Sequence, residues 1–180
     1  MLKITIPASE LYDEKNNEFI YLKEQTLLLE HSLVSVAKWE AQKQKPFLSE
    51  KNMSVEDSID YIRCMTITQN VDPLVYKGVT RDILKKVDEY IRNPMTATWF
   101  GGDKDDKKSK KVITSEIIYY WMIAHNIPYK YEKWHLNRLL TLIRICNIEN
   151  APKQKMSQKD TLKRNKALND ARRKGLKTRG

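Results

Sequence analysis

Two adjacent apolar segments constrain the fold of this chain more than any other feature. Residues 116–126, EIIYYWMIAHN, are apolar on every side of a helix, which is typical of a core or an interface. Residues 132–147, EKWHLNRLLTLIRICN, carry apolar side chains at helical spacing on one side: Leu136, Leu139, Leu140, Ile143 and Cys146. We expect a hydrophobic helical hairpin at the centre of the core. The β-branched and aromatic content of the first segment leaves a buried strand as its alternative.

Three further helices are predicted upstream, each beginning at a hydroxyl residue that can cap it, namely Ser32, Ser54 and Thr80. Their expected ends lie near Lys45, Thr68 and Asn93, where prolines or a turn follow. Helix therefore dominates the predicted body.

Short alternating runs predict a small amount of β-structure. LKITI (2–6) is expected to pair with FIYL (19–22) as an N-terminal hairpin. MTATWF (95–100) and VITSE (112–116) flank a polar loop and could form a second hairpin. The predicted class is α+β, mostly α, with these hairpins packed on a helical core.

The composition changes abruptly after Asn150. Residues 151–180 contain eleven basic and two acidic side chains, whereas residues 1–150 contain 22 basic and 21 acidic ones. The sequence thus predicts a nearly neutral folded body over 1–150 and a basic C-terminal extension over 151–180. Residues 157–175 have the pattern of a helix, but without an apolar stripe strong enough to dock it, so we expect a projecting basic helix.

Known arrangements for catalysis or metal binding do not occur in the sequence. Gly101 and Gly102 precede lysines but lack the spacing of a phosphate-binding loop. His125 and His135 could contribute to a metal site, with Glu116 and Glu132 as the nearest carboxylates, yet no metal-ligand spacing is present, and surface or cap histidines are the favoured interpretation. We expect no enzyme activity, no cofactor and no metal.

Localisation and redox state follow from the same survey. No apolar run reaches the roughly 18 residues of a membrane span, and the N-terminus becomes acidic too early for a secretory signal. We expect a cytoplasmic protein with Cys64 and Cys146 reduced. Trp39 and Trp99 lie near predicted element ends and are candidate interface aromatics.

Five stretches together resemble the tail assembly chaperones of tailed bacteriophages. They cover nearly the whole chain: SLVSVAKWEAQKQKPFL, DYIRCMTITQNVDPLVY, PMTATWF, EIIYYWMIAHNIPYKYEKWHLNRLLTLIRICN and KMSQKDTLKRNKALNDARRKGLKTRG. The resemblance implies a non-enzymatic factor in the host cytoplasm that binds the tape-measure protein, helps to recruit the major tail protein and self-associates.

The extension is the expected client-binding element, since the resemblance implies that the C-terminal region engages the client. The candidate residues are Leu162, Arg164, Leu168, Arg172, Arg173 and Lys174. Two alternatives remain: a structural head-to-tail or tail component, and a nucleic-acid-binding protein that uses the same extension as a basic arm. The second is less favoured because the extension has no aromatic residue for base stacking.

Overall fold

The N-terminal strands form two separate antiparallel pairs. In a computed structural model, β1 (Leu2–Ile6) pairs with β4 (Gln25–Leu29), and β2 (Ser9–Asp13) pairs with β3 (Glu18–Leu22). The structure describes residues 1–13, 17–50, 53–98, 100, 112–151 and 158–176. The α+β, mostly helical class predicted from the sequence is confirmed.

The predicted pairing of residues 2–6 with 19–22 is wrong. Ile4 lies opposite Leu27 in the register of β1 and β4, so the large side chains of both strands share one face. Ile4, Ile6, Leu27 and Leu29 are all buried there. Pairing with β4 therefore places a larger apolar surface in the core than pairing with the more exposed β3 would.

In the described part of the chain, six α-helices follow the strands. Their bounds are α1 Leu33–Lys43, α2 Val55–Met65, α3 Arg81–Arg92, α4 Ser115–Ala124, α5 Leu136–Asn150 and α6 Gln158–Leu176. Short 3-10 helices span Phe47–Ser49, Pro73–Gly78 and Tyr129–Lys133. The contacts divide the chain into two units, Met1–Cys146 and Asn147–Gly180.

The predicted N-caps of the first three helices are confirmed. The hydroxyl oxygens of Ser32, Ser54 and Thr80 accept hydrogen bonds from backbone N–H groups three residues later, at 3.3, 3.0 and 3.4 Å. Each cap supplies a partner for an N–H that the helix itself leaves unpaired. The helices end at Lys43, Met65 and Arg92, close to the predicted turns.

The segment 115–124 is a helix rather than the alternative buried strand. The second sheet of the structure comes from residues 9–22, and the described residues 95–98, 100 and 112–114 contain no strand. Glu40 contributes to this outcome, because its buried carboxylate accepts the N–H of Ser115 at 2.8 Å and that of Phe47 at 2.9 Å. Residues 101–111 of the predicted loop lie outside the described residues.

The core of the first unit joins β1 and β4 to α1, α2, α3, α4 and α5. Leu136, Leu139 and Ile143 of α5 are buried, as predicted, and Leu140 and Cys146 pack against this core while half-buried. Ile118 and Met122 supply the buried side of α4. The opposite side of α4 carries exposed Tyr120 and Ile123, so part of its apolar surface is not covered by the first unit.

Replacing Leu139 with alanine should destabilise the protein by roughly 2–5 kcal/mol, because the side chain is fully buried and its loss leaves a cavity. The measurement is the free energy of unfolding from urea titration. Ile148→Ala in the same helix is the control, since Ile148 is 54% exposed and a surface change costs about 0.5 kcal/mol or less. Equal effects of the two substitutions would contradict the assignment of the core face.

Deleting residues 151–180 should change the melting temperature by no more than a few degrees, corresponding to about 1 kcal/mol or less. The reason is that every buried apolar residue of the described chain lies between Ile4 and Ile143. Calorimetry of the full chain and of residues 1–150 makes the comparison. Loss of the cooperative transition in the shorter chain would show that the extension is needed for folding.

Candidate functional site

Helix α6 presents the clearest candidate binding surface of the second unit. Leu162 is 68% exposed and Leu168 is 47% exposed, although both are apolar. Basic side chains that are also exposed accompany them: Lys163, Lys166, Arg172 and Arg173. Arg164 and Lys174 lie within the helix, but their side chains are outside the described part of the chain. An exposed helix with this composition fits contact with a partner.

The leucines and the cations of α6 lie at different angles around the helix axis. At about 100° per residue, Leu162 and Leu168 lie on different sides, and cations at positions 163, 166 and 173 cluster between about 60° and 140° from Gln158. The helix therefore offers a basic stripe with Leu162 at one edge and Leu168 on the opposite side, rather than one apolar seam.

Trp39 is not an interface residue, contrary to the prediction. Its side chain is fully buried, its indole N–H donates to the Asp57 carbonyl oxygen at 3.1 Å, and its ring lies 5.3 Å from that of Phe47. The segment after α1 folds back and covers the helix end that appeared open in the sequence. Trp99, the second candidate, lies outside the described residues.

A buried polar cluster escaped the sequence analysis. Nδ1 of His31 lies 2.5 Å from the hydroxyl oxygen of Tyr61, and the His31 and His135 rings are 5.1 Å apart. His135 donates from Nε2 to the Tyr90 carbonyl oxygen at 3.1 Å, and the Tyr90 hydroxyl donates to a Glu30 carboxylate oxygen at 2.7 Å. His135 is thus a core residue rather than the predicted surface or cap histidine, whereas His125 is the C-cap of α4.

The environment of the cluster favours neutral imidazoles. Burial lowers the pKa of His31 to about 3, with a smaller contribution from His135, and burial also lowers the pKa of His135. Burial raises the pKa of the Tyr61 hydroxyl well above its usual range. These groups link β4, α2, α3 and α5, so the arrangement supports a structural role.

Metal and thiol chemistry have little support in the described ranges. Within them, no group of three or more His, Cys, Asp and Glu side chains is arranged to hold a metal ion. Cys64 is buried and Cys146 is half-buried, and both are free thiols. Burial raises the pKa of the Cys64 thiol, which disfavours the reactive thiolate.

Lowering the pH from 6.5 towards 3 should reduce the free energy of unfolding. Over this window the unfolded chain binds a proton at each histidine, while the folded chain leaves His31 neutral. The maximum slope for one histidine is about 1.4 kcal/mol per pH unit. His31→Gln should show a shallower slope than the wild type in urea titrations at successive pH values. An unchanged slope in His31→Gln would contradict the burial argument.

Comparison with known proteins gives no relative for this chain: no family model, no curated protein and no solved structure matches it. Across the helices that the structure describes, none combines the length and apolar character needed to cross a bilayer.

Proposed function

We propose that this protein is a non-enzymatic tail assembly chaperone of a tailed bacteriophage. It acts in the host cytoplasm, where it binds the tape-measure protein and helps to recruit the major tail protein. The proposal draws on the resemblance of five stretches of the sequence to this class of protein. The observation that carries it is α6, a basic helix whose described side chains are all exposed.

The composition of α6 fits a helical client with acidic side chains. Exposed Leu162 can pack on an apolar position of a client helix while the cations beside it pair with the client's carboxylates, and exposed Leu168 offers an apolar contact on another side of α6. Helices in proteins gain most of their stability from packing, so packing against a client would also stabilise α6. Binding would then depend on the position of side chains as well as on total charge.

The exposed side of α4 supports self-association, the second part of the proposal. Tyr120 is 66% exposed and Ile123 is 57% exposed, one turn apart on a helix whose other side is in the core. Large exposed apolar side chains in neighbouring positions are typical of interaction surfaces. We therefore propose a homo-oligomer in which this side of α4 is covered.

A nucleic-acid-binding arm is the second candidate function, favoured by one observation, the net charge of +9 over residues 151–180. In that case binding would arise chiefly from phosphate contacts, and its logarithm would fall linearly with the logarithm of salt concentration. The identity of residues 162 and 168 would then matter little.

A double substitution in α6 separates the two functions. Leu162→Asp with Leu168→Asp should abolish capture of a tape-measure fragment, because it places carboxylates where apolar contacts are needed. Asn165→Asp with Asn169→Asp is the matched control, since it changes the charge equally at exposed positions of the same helix. Pull-down of the fragment and titration of random duplex DNA, at low and physiological salt, provide the measurements.

Each outcome has a clear meaning. Capture by the wild type and by the control pair, but not by the leucine pair, would support the chaperone. Tight DNA binding at physiological salt, with no capture of the fragment, would overturn it. Equal loss of capture in both pairs would show that charge alone drives the interaction.

A further inference from the structure

The connection between α4 and α5 exposes aromatic side chains on a fixed base. Each residue of the 3-10 helix Tyr129–Lys133 is exposed or half-buried, although the segment joins two core helices. Immediately after it, His135 and Leu136 are buried, and the Leu136 N–H donates to the His31 carbonyl oxygen at 2.7 Å. The aromatic residues are therefore held at the surface by a well-anchored backbone.

Four side chains of this region lie on one another in layers. The rings of Tyr131 and Trp134 stack with centroids 4.2 Å apart and an interplanar angle of 26°. The Arg138 guanidinium carbon lies 4.0 Å from the centre of the Trp134 ring, and the Lys130 ammonium lies 5.5 Å from that of Tyr131. These four residues are called the Trp134 stack below.

The region is basic on a nearly neutral body. Residues 128–138 contain three basic side chains and one acidic side chain, so the rest of residues 1–150 has one more acidic than basic side chain. The single acid, Glu132, accepts a hydrogen bond from the Tyr119 hydroxyl at 2.9 Å. Lys130, Lys133 and Arg138 are all exposed. Residues 128–138 thus have a net charge of +2.

We propose that the Trp134 stack, together with Lys133, is a docking surface for an acidic segment of a partner protein. Tryptophan, tyrosine and arginine are the residues most enriched where binding energy is concentrated in protein interfaces. A guanidinium lying flat on a ring keeps its N–H groups at its edge, where a carboxylate can bind with two hydrogen bonds. Because the stack is already ordered, little side-chain entropy is lost on binding.

The geometry favours a protein partner over a nucleic acid. Single-stranded nucleic acids bind by stacking bases on free aromatic faces. In the Trp134 stack, the two rings cover one face of each other, and a cation lies 4.0 Å from the centre of the Trp134 ring and 5.5 Å from that of Tyr131. The inference goes beyond the proposed function and does not rest on it, since the surface belongs to the first unit and excludes α6.

The test uses the full chain with the exposed cations of this surface replaced. The variant combines Lys130→Gln, Lys133→Gln and Arg138→Gln. The matched control combines Lys23→Gln, Arg81→Gln and Lys86→Gln, three exposed cations elsewhere in the first unit. The probes are a labelled helical peptide of Glu, Ala and Leu and a random duplex DNA, titrated at physiological salt by fluorescence anisotropy.

The expected result is a loss of peptide affinity of about tenfold or more in the first variant and of about twofold or less in the control. Trp134→Leu keeps the charge and should also weaken peptide binding, with thermal melting run in parallel to confirm folding. If Trp134→Leu does not fold, the first variant still tests the proposal. Its three replaced side chains are exposed, so their replacement should leave the fold intact.

Three results would overturn the proposal. The first is no measurable peptide binding by the wild type. The second is an unchanged affinity in the first variant, which would place the peptide elsewhere, for example on α6. The third is a selective loss of DNA binding: the first variant no longer binds DNA, the control still does, and peptide binding is unchanged in both. This surface would then recognise phosphates.

Discussion

The connection between β4 and α1 determines how the elements of the first unit meet. The Glu30 N–H donates to the Met65 carbonyl oxygen at 2.9 Å, which joins β4 to the end of α2. The carbonyl oxygen of the following residue, His31, accepts the N–H of Leu136 at the start of α5. The residue after that, Ser32, caps α1. Buried backbone groups must find such partners, so these consecutive residues fix where three helices begin or end around one strand.

Local signals in the sequence predicted helix starts well, and long-range pairing less well. Ser32, Ser54 and Thr80 were identifiable because a cap involves residues only three positions apart. The partner of β1 could not be chosen in this way, since both β3 and β4 have apolar residues and only the completed core distinguishes them. One signal was present in the sequence: Leu27, Leu29 and His31 are spaced two residues apart. In an extended chain this spacing puts them on one face, and all three are buried.

The burial of Trp39 and the partial exposure of Trp134 have the same physical explanation. Periodicity indicates which side of an element is apolar, but it does not show what covers that side. Trp39 lies near the end of α1, yet Phe47 returns to cover it. Trp134 belongs to an apolar segment, yet it remains half-buried beneath Arg138. The candidate surface on the body was therefore visible only once the packing around it was known.

Under the two proposals, α6 and the Trp134 stack use positive charge in different ways. The cations of α6 are exposed, so salt screens them and their main effect is on the rate of encounter with an acidic partner. Arg138 is held against a ring within an ordered stack, where part of its attraction to a carboxylate comes from fixed geometry. Selectivity should consequently reside in the uncharged groups, Leu162 and Leu168 on the helix and the paired rings on the body, because these respond to the shape of a partner rather than to its charge alone.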